Sequence, residues 1–268
     1  MEGYSARKGF LMEGAPVPGF FTQLAEDTRR ITLDCDVVAG LWTSRPDVDG
    51  SPAAIDRILA RGGIDSALVS SARGCWYDED GAVDELRAWA EPRGWRRCNS
   101  VNLRDAIGIG ERLDEWIADG VRAVRLPGVI QGKSPSSPGY LHVVQEAAAR
   151  GLLMLVEGVF SEVQAAFRGL DAKVIFLDAG FYELADFLIV AREEPGFVAS
   201  TRKMLGPDSI ERVCGEVGAA HLAFGSGSPL QDLEPTVWRL RDARINDDDF
   251  IAVAGGNLQR MLEERTHG

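Results

Sequence analysis

Residues 121–158 read VRAVRLPGVIQGKSPSSPGYLHVVQEAAARGLLMLVEG, and they contain one full period of the chain's architecture. A short apolar run (121–127) leads into a polar loop rich in Ser and Pro (131–139). A stretch of helical period, YLHVVQEAAARG, closes on Gly151, and a second apolar run follows at 152–158. Strand, helix and strand in that order, with no hairpin turn between the strands, read as a βα unit of a parallel sheet.

The same period extends in both directions. Strand candidates fall at 31–38 (ITLDCDVV), 64–71, 96–102, 121–127, 152–158, 173–179, 196–201 and 221–226, which makes eight. Helical stretches between them, such as SPAAIDRILARGG and PDSIERVCGEVG, open on Ser, Pro or Asp and close on Gly, as capped helices do. Eight βα units predict an α/β fold, a (β/α)8 TIM barrel formed by residues 29–268 as one domain, with residues 1–28 as an N-terminal arm. An open doubly wound sheet is the competing arrangement, but DVVAGLWTS after the first strand lacks the G-x-G-x-x-G of a phosphate loop.

Composition narrows the function. The formal charge of −12 among 268 residues disfavours nucleic acid or an anionic membrane as partner, because both are polyanions. Cys35, Cys75, Cys98 and Cys214 form no C-x-x-C pair, which fits reduced thiols and a cytoplasmic setting. No stretch of about 18 apolar residues is present to span a bilayer. The expected partner is a small-molecule substrate or ligand, and association with further copies of the chain stays open.

In barrels of this kind chemistry sits at the C-terminal ends of the strands. There the sequence places Asp34 and Asp36 (strand one), Arg104 (after strand three), Arg125 (strand four), Glu157 (strand five), Asp178 (strand six), Arg202 (after strand seven) and Ser226 (strand eight). Trp42 follows strand one and is a candidate pocket wall. Asp34 and Asp36, two apart, should share the inward face, and Cys35 between them should face the helices. Converging carboxylates need a cation, an arginine or a raised pKa. Packed salt bridges capping the barrel are the bland account of any single acid, but so many acids and arginines at one rim favour a ligand site.

In the order ITLDCDVVAG, GVRAVRLP, LDAGF, VGAAHLAFGSGSP and GGNLQRML, the chain resembles the amidohydrolase superfamily, in particular its amidohydrolase-related lactonases and metal-dependent decarboxylases. The resemblance implies a metal site of histidines on strands one, five and six and an aspartate on strand eight. Those positions hold Asp36 and Val38, Glu157, Asp178 and Gly227 here. With only His142, His221 and His267 in the whole chain, a histidine-held zinc is excluded by counting.

Three readings follow. Asp36, Glu157 and Asp178 hold a hard divalent cation (Mg, Mn or Ca). Alternatively, no metal binds, as in metal-free members of the lactonase branch, and one acid acts as general acid or base. The substrate, small and anionic or carbonyl-bearing, is then gripped by Arg104, Arg125 and Arg202, with Asp34, Ser226 and Trp42 lining the site. In both cases the chain is a hydrolase or related lyase with these three acids catalytic. In the third it is a pseudoenzyme that keeps the barrel as a ligand-binding or subunit-interaction module, as the loss of the strand-eight acid at Gly227 suggests.

Overall fold

The computed structural model describes residues 29–76 and 78–264, so the expected arm, residues 1–28, lies outside it, as does His267. All eight expected strands are present: β1 Ile31–Ala39, β2 Ile64–Ser71, β3 Arg96–Ser100, β4 Ala123–Leu126, β5 Leu153–Val156, β6 Val174–Phe176, β7 Phe197–Ser200 and β8 Leu222–Ala223. Each pairs in parallel with the next, in sequence order. The ring closes between β1 and the chain leaving β8 through three main-chain bonds: Cys35 N–H to Phe224 O (2.8 Å), Gly227 N–H to Asp36 O (3.0 Å) and Val38 N–H to Ser228 O (2.9 Å). This is a (β/α)8 barrel. No helix among the described residues is long and apolar enough to cross a membrane.

The helix of SPAAIDRILARGG forms where its punctuation predicts. Ser51 accepts the Ala54 N–H to start Pro52–Gly62, with Pro52 in the first turn, and Gly63 ends it in the left-handed region at φ 64°. Two apolar layers result. Inside the barrel, Leu33, Cys35, Leu68, Cys98, Leu153, Leu155, Ile175 and Val198 pack on one another. Between sheet and helices, Val156, Val174 and Phe176 meet Phe160, Phe167 and Phe187, the Phe160 and Phe176 rings standing edge to face at 4.9 Å.

β1 departs from simple alternation. Its register against β2 runs Leu33 to Ser66 and Asp34 to Ala67, then resumes at Val37 to Val69. The offset drops from 33 to 32, so β1 carries one extra residue and Cys35 and Asp36 together oppose Leu68. This bulge corrects two expectations. Cys35 packs with the barrel interior and not toward the helices, its Sγ lying 4.0 Å from Ser200 Oγ. Asp34 and Asp36 do not share a face, because alternation does not survive a bulge.

Candidate functional site

The bulge aims Asp36 into the mouth of the barrel, where the sequence-predicted groups converge. Asp36 is fully buried. Its Oδ1 accepts a hydrogen bond from Arg125 Nη1 at 2.9 Å and its Oδ2 one from Arg202 Nη1 at 2.6 Å. Arg125, from inside β4, also donates to Glu157 Oε1 through Nε (2.9 Å) and Nη2 (2.5 Å). Arg202, from the turn after β7, donates to Asp178 Oδ1 at 2.6 Å and to the Leu177 carbonyl at 2.8 Å. Asp178 Oδ2 in turn accepts the Gly158 N–H at 3.0 Å. The mouth therefore holds one alternating chain of charges, Glu157–Arg125–Asp36–Arg202–Asp178, drawn from five strand ends.

Electrostatics keeps that chain ionised. Burial pushes the Asp36 carboxyl up, but Arg202 and Arg125 beside it outweigh this and hold it below the ordinary carboxylate range. Burial opposes the charge on Arg125 and on Arg202, and the acids around each more than reverse it, so both stay firmly protonated. Arg125 is only 2% exposed and Arg202 11%, whereas Asp178 keeps 27% of its side chain open. The network is sealed at its centre and opens toward β5 and β6.

The other expected site residues stand elsewhere. Asp34 is buried and braces the bulge, its Oδ1 accepting the N–H groups of Asp36 (2.9 Å) and Ser226 (3.0 Å). Ser226 is buried too, its hydroxyl donating to Ser228 at 2.9 Å. Trp42 packs with Val38, Ala72 and Cys75 in an apolar roof over the β1–β2 side of the mouth. Arg104 is exposed on the loop after β3, its N–H bonded to Asn102 Oδ1 at 3.1 Å. Of the three arginines expected to grip an anion, Arg125 and Arg202 are already paired with acids.

What opens to solvent is a cleft of about 690 Å³ beside the network, within the size range of small-molecule sites. Glu157, Asp178, Tyr140, Lys133 and Glu183 line it, and Gly132–Pro135 of the Ser/Pro-rich loop form one wall. A second hollow of about 620 Å³ adjoins it at Asp178, walled by Phe181, Tyr182, Lys203 and Leu205. Carboxylates outnumber Lys133 in the first cleft, so its lining suits a neutral molecule better than the anion expected from the arginines.

Three further residues contribute to the site with little to mark them in the sequence. Tyr140, from the first turn of Pro138–Ala149, is 2% exposed on the cleft wall, and its hydroxyl has no hydrogen-bond partner. Burial, and then the charge of Glu157, push its phenol well above the ordinary value, so it remains a neutral donor. Gln131 ties the β3 end in place, accepting the Leu103 N–H (2.8 Å) and donating to the Val101 carbonyl (3.1 Å). Glu183 caps the turn at Phe160, accepting its N–H at 2.6 Å. A polar residue following an apolar run was the only signal for Gln131, and a helix-opening SSPGY the only one for Tyr140.

The superfamily resemblance implies a divalent metal in this mouth, and the residues do not fit one. Both oxygens of Asp36 are taken by guanidinium groups, and these cations stand where an ion bridging Asp36 to Glu157 or Asp178 would have to lie. Among the described residues no group of three or more His, Cys, Asp or Glu side chains is gathered as metal ligands.

No family model and no curated protein matches the chain. Solved structures do. The 2,6-dihydroxybenzoate decarboxylase from Rhizobium superposes with a TM-score of 0.68 at 12% identity, over 87% of this chain and 99% of that one. The chain shares that barrel fold. A dihydroxybenzoic acid decarboxylase from Polaromonas sp. JS666, solved with bound manganese and 2-nitroresorcinol, gives 0.69 at 11% identity, covering 87% and 97%. A 5-carboxyvanillate decarboxylase from Sphingomonas paucimobilis gives 0.65 at 14%, covering 89% and 100%.

Proposed function

We propose that this chain is an amidohydrolase-type hydrolase or lyase acting on a small, neutral, carbonyl-bearing molecule in the cleft beside Glu157. The observation that carries the reading is the position of Glu157. Its Oε1 accepts from Nε and Nη2 of Arg125, whose Nη1 is itself bonded to Asp36, and the Glu157 side chain lines the cleft. A carboxylate oriented in this way is suited to take a proton from water or substrate and return it to a leaving group. Tyr140 stands on the same wall, its buried and unpartnered O–H the neutral donor that a substrate carbonyl would use if it reached that depth. Asp36 and Asp178 act through the arginines, fixing where Glu157 stands.

The decarboxylases and hydrolases that share the fold support the reaction class, and manganese in one of them makes a metal-assisted route the natural rival. We place the protein in the cytoplasm on the strength of its four unpaired cysteines. The test is turnover of a panel of lactones, esters, amides and hydroxybenzoates by the wild type and by Glu157→Gln, which preserves the acceptor facing Arg125. Loss of about 100-fold or more in kcat with unchanged melting supports Glu157 as acid or base. Undiminished turnover in the variant overturns that role. Saturable binding in the cleft without turnover of any compound favours the binding module instead.

A further inference from the structure

We infer that Arg125 and Arg202 are the site's built-in cations, two guanidinium groups that hold Asp36, Glu157 and Asp178 together as a divalent ion would. Each guanidinium bridges two acids, with every contact at 2.9 Å or less: Arg125 joins Asp36 to Glu157, and Arg202 joins Asp36 to Asp178. Asp36, which neither solvent nor any other side chain can neutralise, uses one oxygen for each. Three carboxylates against two arginines leave one net negative charge, where three carboxylates alone would leave three in a water-poor mouth.

The arginines come from two different strand ends, so the substitution of protein cations for a metal is written into the barrel and not into one loop. A planar fork also fixes the carboxylates in direction, which a spherical ion does not. The inference does not depend on what the neighbouring cleft binds or turns over. It implies that deleting one fork converts the acids flanking it into a vacant site for a hard cation.

The experiment is thermal melting of the full chain with and without millimolar manganese(II) chloride, for the wild type, Arg202→Ala and Arg202→Lys. The expected result is a wild type whose Tm manganese leaves unmoved. Arg202→Ala should melt several degrees lower and recover on adding either manganese or millimolar guanidinium chloride, compared with sodium chloride at equal strength, and Arg202→Lys should need neither. A wild-type Tm that rises with manganese, and no longer does so in Asp36→Asn, overturns the inference. So does an Arg202→Ala that melts like the wild type, or one that neither cation restores. Should Arg202→Ala fail to fold, the wild-type manganese titration and the behaviour of Arg202→Lys decide the matter alone.

Discussion

Asp34 accepts the main-chain N–H of Asp36, two residues further along the same strand, at 2.9 Å. The same oxygen takes the Ser226 N–H, while Oδ2 is buried without a partner. This carboxylate braces the β1 bulge, and burial raises its pKa to about 7, with bonds from Ser226 and Asp36 only partly offsetting the effect.

Its pH dependence has a definite sign. A carboxyl whose folded pKa lies above its ordinary value stabilises the fold fully in acid, and that contribution is lost as pH rises from about 4 to about 7. Asp34→Asn keeps the Oδ1 acceptor and cannot ionise. Relative to wild type it should gain on the order of 2 kcal/mol between pH 5 and pH 8. Denaturant unfolding at both pH values checks this, and an equal difference at both would refute it.

Asp36→Asn should go the other way. Removing its charge leaves two buried arginines underneutralised, a loss of about 3–5 kcal/mol at neutral pH. Because the arginines hold its carboxyl below the ordinary range, that stabilisation is present at neutral pH and disappears as acid protonates it, so the deficit should shrink at low pH. A variant more stable than wild type at pH 7 would mean that the acids repel one another instead of bridging through arginine.

Tyr140→Phe separates packing from chemistry. The phenol oxygen is buried and unpartnered, so its removal should leave stability unchanged or raise it by about 1 kcal/mol. If the hydroxyl polarises a bound carbonyl, kcat should fall in the same variant, about 10-fold or more. Parallel losses in stability and turnover would assign Tyr140 to the core alone.

Gly225→Ala tests the joint behind the network. A methyl group there would run into Ser200 Oγ and come within 2.8 Å of Cys35 Sγ. Overpacking of this kind costs about 1–3 kcal/mol, and the lowered denaturation midpoint should be partly regained with Ser200→Ala.

The barrel was legible because each strand is a brief apolar run set between helices with clear ends, and β2 falls on the very residues, 64 to 71, that the sequence outlines. Asp36, Glu157 and Asp178 were legible as polar groups closing such runs. Which arginine meets which acid was not, since pairing across the mouth depends on distances that no local pattern encodes. The direction of Cys35 and Asp34 was misread for a different reason. Period-two alternation assumes a regular strand, and nothing in LDCDVV marks the extra residue.

The ring is closed through the carbonyl of Asp36 and the amides of its neighbours, with β8 itself only two residues long. Holding the acids and holding the cylinder shut are thus the same mechanical act. The amide protons of Cys35, Val38 and Gly227 are clocks for it: their exchange with deuterated water times each breathing of this short seam, and anything that loosens the charges above will make those clocks run faster.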